Sequence, residues 1–296
     1  MKIALDPTPF HHTHSLLEFP AAVAECGFEH IQITPHPDFI PFYRHPKADD
    51  ALVDSLRQAC ASAGVSIASV LPVLRWSDPD EGRRRAAVRK WKRVIEITLR
   101  LGVNVINTEF SGDPSDPERS EDAFYASMEE LLPIIEREGL DVRIDPHPGD
   151  FVEDGLEALR IIRSLGSANI GFVYVACHQF HEGHPQAEVM RAAGDKLRLV
   201  HLADTYDHRR SHGLRYIQNP PDTTARVHQH LRIGDGDVDW DSYFGLLAEL
   251  GFLDRPDTVM VSSVFAEDES ARATSEYQLA QITRRVAAAR DAHRPS

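Results

Sequence analysis

The chain has 296 residues, 42% of them hydrophobic and 26% charged, which permits a buried core and does not have the composition of a disordered chain. Its formal charge of −14, from 32 basic and 46 acidic residues, repels nucleic acid and anionic lipid and argues against both as partners. No apolar run approaches the ~20 residues of a membrane span, and Met1 leads straight into a strand-like KIAL with no leader pattern, so a cytoplasmic location is expected.

In chain order, apolar runs expected as strands cover Lys2–Asp6, His30–Thr34, Ser66–Pro72, Val103–Phe110, Asp141–Pro146, Gly171–Cys177, Leu197–Ala203 and Thr258–Phe265. Between them the apolar spacing turns helical, over Ser15–Cys26, Asp50–Ala63, Arg83–Leu101, Glu121–Glu138, Gly155–Leu165 and Trp240–Leu250. The recurring punctuation is helix, glycine, strand, as in CGFEHIQI, AGVSIASV, LGVNVINT and EGLDVRID. Glycine just past a helix end takes the left-handed conformation that turns the chain into the next strand. Eight such units predict a single-domain (β/α)8 barrel, which needs roughly 250 residues. A doubly wound sheet is disfavoured because no GxGxxG follows the first strand. The spacing breaks once: a long insertion at about residues 204–238, rich in His, Arg, Pro and Asp, is expected to cover the barrel mouth or meet another subunit. The tail after Ala287 reads as a fraying helix end. Cys26, Cys60 and Cys177 are far apart and lack CxxC spacing, which argues against a disulfide framework and a zinc cluster; Cys26 and Cys60 are expected to pack in helices.

In such a barrel the chemistry sits at the carboxyl ends of the strands, and there the polar residues gather. Asp6 ends the first strand and is followed by His11, His12 and His14; His36 follows the second, and Glu109 ends the fourth. Asp145 and His147 end the fifth, His178, His181 and His184 follow the sixth, and His201 lies in the seventh. Imidazole with carboxylate is a ligand set for Mn, Fe, Zn or Co. Glu109, Asp145 and His201 are embedded in apolar strands, where an unpaired ionised group costs several kcal/mol, roughly, unless a partner such as a metal compensates it. Asp150 and Asp204 are equally readable as caps or ion-pair partners, His30 as a core histidine, and His45, His208, His212 and His293 as loop or tail residues.

These residues carry a family resemblance over nearly the whole chain. The segment HLRIGDGDVDWDSYFGLLAELGF, His230–Phe252, resembles the G-x-G-x-[IV]-D-W marker of the xylose-isomerase-like barrels, a group that includes sugar isomerases and epimerases. LVHLAD resembles its V-x-H-x-x-D, which places His201 at the family's metal-binding histidine, and Asp145–Pro146 resembles its Glu-Pro. Two positions depart from it: Val175 and Ser263 stand where the family has Asp on strand six and Glu on strand eight. The resemblance therefore implies a metal shell completed from elsewhere, by Glu109, His178 or His230, with Glu109 and His230 favoured beside Asp145 and His201. Mn2+ is the expected metal, with Mg2+, Co2+ and Zn2+ as alternatives.

A narrower similarity is carried by DPTPFHHTHS, VLPVLRWSDPDE, NTEFSG, IDPHP and VSSVFAED, which look like the barrel subunit of bacterial C-glycoside deglycosidases. It implies a lyase that removes the C2 proton of a 3-oxo-C-glycoside and expels the aglycone, together with a small β-rich second subunit. His147, two residues beyond Asp145, is the expected base. His11, His36, His178 and Arg75 are assigned to substrate binding. The alternatives are a metal-dependent sugar isomerase or epimerase and a non-catalytic sugar-binding barrel.

Overall fold

Eight short, largely apolar runs form the strands, and amphipathic segments that bury one face form the helices. The computed structural model describes residues 1–181, 183, 185–206, 217–218, 226–227, 230–265 and 271–293. In chain order the elements are β1 (Lys2–Leu5), α1 (Phe19–Glu25), β2 (His30–Ile33), α2 (Asp50–Ala63), β3 (Ser66–Val70), α3 (Glu81–Arg100), β4 (Val105–Glu109), α4 (Pro117–Arg137), β5 (Asp141–Asp145), α5 (Gly155–Ser164) and β6 (Ile170–Val175). There follow α6 (Ala176–His181), α7 (Gln186–Ala193), β7 (Leu197–Leu202), β8 (Ile217–Gln218), β9 (Arg226–Val227), α8 (Trp240–Glu249), β10 (Val259–Ser262) and α9 (Ala271–Ala292). The large strands are parallel and close into a barrel in the order β1-β10-β7-β6-β5-β4-β3-β2, so the expected (β/α)8 architecture holds. No helix among the described residues is long and apolar enough to cross a membrane.

Two concentric cores follow from the period-two alternation of the strands. Outward residues such as Ile33, Ile144, Phe172, Val200 and Met260 pack under the helices. Inward residues form a separate small cluster in the barrel: Ala4, Ala68, Val173, Leu199, Val259 and Val261 among them. Arg143, 1% exposed, occupies the middle of β5 and donates to Asp141 Oδ2 at 2.7 Å and to the carbonyls of Arg198 and Asp257 at 2.7 and 2.8 Å. The same parity that turns Arg143 inward turns Asp145 inward one layer higher.

The helix-glycine-strand punctuation behaves as read. Gly64, for example, caps α2 at φ 70°, and its amide bonds back to the helix. Three segments differ from expectation. Ser15 donates from its amide and hydroxyl to Glu18 Oε2, both at 2.7 Å, and α1 starts only at Phe19, with Pro20 in its first turn. Segments α6 and α7, absent from the sequence reading, fill the β6–β7 connection. And α9 continues to Ala292, past the expected fraying point at Ala287: Val286 and Ala289 are buried, and Arg290 binds the Leu253 carbonyl. Cys26 and Cys60 are buried, at the end of α1 and in α2.

The insertion at 204–238 lies partly outside the described residues, as do His184, His208, His212 and the side chain of His181. Its described parts include an antiparallel ladder of β8 with β9 and a two-way backbone bridge between Asp204 and Leu231 at 2.8 and 2.9 Å. That bridge brings His230 back to the barrel mouth. Asp204 has a structural role: its carboxylate accepts from the amides of Thr205, Gly234 and Val238 at 2.9, 2.8 and 3.1 Å and from Trp240 Nε1 at 2.8 Å. This is the physical content of the G-x-G-x-V-D-W segment. A Cβ on Gly236 would collide with Asp204 Oδ1 and the Thr205 carbonyl. Gly236→Ala is therefore expected to destabilise the fold by about 1–3 kcal/mol, as overpacking does, read from the urea midpoint at unchanged slope; an unshifted midpoint would contradict this role.

Candidate metal and proton-transfer site

At the carboxyl end of the barrel the inward side chains line a cavity of about 440 Å³, within the ordinary range for small-molecule sites. Asp6, His11, Glu109, Asp145, His147, Val175, His178, His201 and His230 all border it. All four expected metal ligands and the expected base thus meet in one place. So do two of the four expected substrate-binding residues, His11 and His178. The other two stand outside: His36 lines an adjoining outer pocket, where its ring meets His11 edge-on at 5.3 Å, and Arg75 lies at the rim with its guanidinium 4.6 Å from the Tyr43 ring.

The cavity floor is resolved into pairs. His178 Nε2 lies 3.3 Å from His230 Nε2, while His178 Nδ1 faces Asp145 Oδ2 at 3.6 Å. His230 Nδ1 donates to the Ser263 carbonyl at 2.6 Å, which fixes Nε2 as its acceptor nitrogen, and its ring stacks on Phe265 at 4.1 Å. Cys177, in the first turn of α6, joins them: one ligand atom from each of Cys177, His178 and His230 lies within 4.8 Å of the others, and all three residues are buried. On the facing side His147 Nε2 lies 3.8 Å from Glu109 Oε1 and its Nδ1 2.8 Å from the Pro148 carbonyl. The rings of His147 and His178 are 4.6 Å apart, edge to face. His201 is engaged differently, with Nε2 3.3 Å from the Asn107 amide nitrogen.

Burial sets the protonation states. It is the main cause that pulls His201 and His230 down to about 3, so both imidazoles stay neutral near pH 7, the form that binds metal. Burial first, and then the charges of Glu109 and Asp150, hold Asp145 above the usual carboxylate range. Burial likewise pushes the Cys177 thiol up and raises Asp6 to about 6 against the lowering effect of its bonds from Thr8. Asp150, whose sequence left a cap or a ligand open, is a brace: it accepts from the amides of Ser111, Gly112 and Phe151, the last two at 2.7 Å.

The residues fit a tetrahedral divalent metal. With metal–nitrogen bonds of about 2.0–2.1 Å, two imidazole nitrogens of one tetrahedral shell lie about 3.3–3.4 Å apart, which is the His178–His230 separation. The outer nitrogens face a carboxylate and a backbone carbonyl, the second-shell arrangement that orients ligating histidines. Of the expected ligands, His230 belongs to this compact group, Asp145 faces its outer edge, Glu109 pairs with His147, and His201 pairs with Asn107. The group also draws in His178, read from sequence as substrate-binding, and Cys177, which spacing alone had set aside. A signal for Cys177 existed: the alternation that turns Val173 and Val175 inward continues to it.

Residues 20–282 match the xylose isomerase-like TIM barrels, and the chain belongs to that family. Among individual proteins, the inosose isomerase of Bacillus licheniformis is 25% identical over 187 residues, 60% of this chain and 62% of that protein. In three dimensions the chain is similar to L-ribulose 3-epimerase, with a TM-score of 0.73, 17% identity and 99% of each chain covered. It is also similar to the IOLI protein solved with a binding zinc atom, with a TM-score of 0.73, 20% identity, and 97% and 99% of the two chains covered.

Proposed function

We propose that this barrel is a metal-assisted enzyme that moves a proton on the carbon beside a sugar or polyol carbonyl, in the isomerase or epimerase class. The observation that carries the reading is the meeting, in one cavity, of a histidine–carboxylate pair suited to proton transfer, His147 with Glu109, and two metal-ligand histidines, His178 and His230, with the buried Cys177 beside them. The inosose isomerase and the sugar 3-epimerase to which the chain is similar support the substrate class. A metal held by His178 and His230, with Cys177 as a third donor, would supply Lewis-acid stabilisation of negative charge on the carbonyl oxygen. Thiolate and imidazole favour Zn2+ over the Mn2+ expected from sequence, since Mn2+ suits oxygen ligands better. His147 takes the proton through Nε2, and Glu109 steadies the imidazolium that results.

A second reading, the lyase acting on 3-oxo-C-glycosides with a β-rich partner subunit, is favoured by one observation. Val175 presents an apolar wall where a family carboxylate would stand, and the position of the second carboxylate is Ser263, whose hydroxyl is buried. Elimination does not require those two opposed carboxylates.

The deciding experiment incubates the metal-loaded protein in water with an inosose, D-fructose and a methyl 3-keto-glucoside, each deuterated beside the carbonyl, and with an aryl 3-oxo-C-glucoside. Loss of deuterium with formation of an isomer is expected. Release of the aglycone without any isomer would install the lyase reading instead, and retention of all label with no product would leave a binding protein.

A further inference from the structure

The reaction proposed for this cavity needs somewhere to deliver a proton as well as somewhere to take one, and the two positions that would supply opposed carboxylates are Val175 and Ser263. A different carboxylate faces the cavity. Asp6 follows β1, is 1% exposed and lines the same cavity as His147. In the barrel order β1 and β5 are four strands apart in either direction, hence diametrically opposed, and His147 follows the end of β5. His147 and Asp6 thus follow strands on opposite sides of the cavity that both residues line.

The hydrogen bonding of Asp6 is one-sided. Its Oδ1 accepts from the Thr8 amide at 2.9 Å and from the Thr8 hydroxyl at 2.6 Å, which braces the backbone just ahead of the 3-10 turn at Thr8–Phe10. Among the described residues nothing donates to Oδ2. A carboxylate placed only to brace that turn would gain nothing from being buried at a cavity wall, where ionisation is costly. Burial holds its acid up to about 6, close enough to neutrality to exchange protons during turnover.

We propose that Asp6 is the second proton-transfer residue of this site, acting on the face of the substrate opposite His147. This rests on the proton-transfer reading above. In the forward direction the C–H bond breaks, its proton passes to His147 and its electron pair stays on the substrate as an enolate. A protonated Asp6 then gives its proton to the opposite face of that carbon, forming the new C–H bond, and becomes a carboxylate. Solvent reprotonates Asp6 and deprotonates His147, so no other reactant is consumed. The configuration at that carbon inverts.

The test uses Asp6→Asn in the metal-loaded protein, with the deuterated inosose, D-fructose and methyl 3-keto-glucoside as probes. Asparagine keeps the oxygen that accepts from Thr8 and removes a buried ionisable group, so the thermal midpoint is not expected to fall. Turnover to the inverted product should drop by about 10²–10⁴-fold, while deuterium is still lost to solvent at a rate comparable with the wild type, because His147 continues to take and return the proton. Retention of both activities, or loss of both, overturns the proposal, and a lowered midpoint accompanying the loss reduces Asp6 to a turn brace. If the wild-type protein itself washes out no label from any probe, the function reading fails first.

Discussion

Alanine at either His178 or His230 is expected to leave the protein without stoichiometric zinc. Each removes one of two nitrogens that stand 3.3 Å apart in a buried pocket, and the remaining donors cannot close a tetrahedral shell. Asp145→Asn should be milder, lowering affinity by about 10–100-fold, because Asp145 faces the outer nitrogen of His178 and acts by orienting it. Cobalt reads out the third donor: the Co2+-loaded protein should show a thiolate-to-metal charge-transfer band that Cys177→Ser abolishes, without reference to turnover. Metal analysis after dialysis settles the ligand set. Full metal content in both histidine variants, with loss in His201→Ala and Glu109→Gln instead, would return the centre to the ligands expected from sequence.

What the sequence disclosed and what it hid follow from range. Alternation along a strand is local, so the inward faces of β4, β5 and β7 could be read directly, and with them the convergence of Glu109, Asp145 and His201 on one cavity. The glycine signals fixed the helix ends for the same reason. Pairing inside the cavity is not local. Whether His201 meets a metal or Asn107, and whether Asp145 coordinates directly or through His178, depends on distances across strands that no spacing encodes. Cys177 was missed because the chain leaves β6 at Val175 and enters a short helix, so its neighbour His178 comes to share its pocket with His230, a residue 52 positions away. Asp204 shows the reverse: left open between a cap and a ligand, it organises the loop that carries the family's most recognisable motif.

His147→Ala is expected to lower turnover by about 10²–10⁴-fold with metal content unchanged, a barrier increase of roughly 3–5 kcal/mol. The geometry gives the reason. Nδ1 donates to the Pro148 carbonyl at 2.8 Å, so Nε2 is the nitrogen that accepts a proton, and it faces Glu109 and the cavity. The ring lies 4.6 Å from His178 without belonging to the ligand group, so its loss should spare the metal and remove the base. Glu109→Gln should act less severely, because it removes the charge that steadies the imidazolium and leaves the base itself in place. Deuterium wash-out separates the two sides of the cavity: His147→Ala should abolish it together with turnover, whereas Asp6→Asn should lose turnover alone. A His147→Ala protein that still exchanges the α-deuterium at the wild-type rate would show that another cavity residue takes the proton, with His11 and His178 the next to replace.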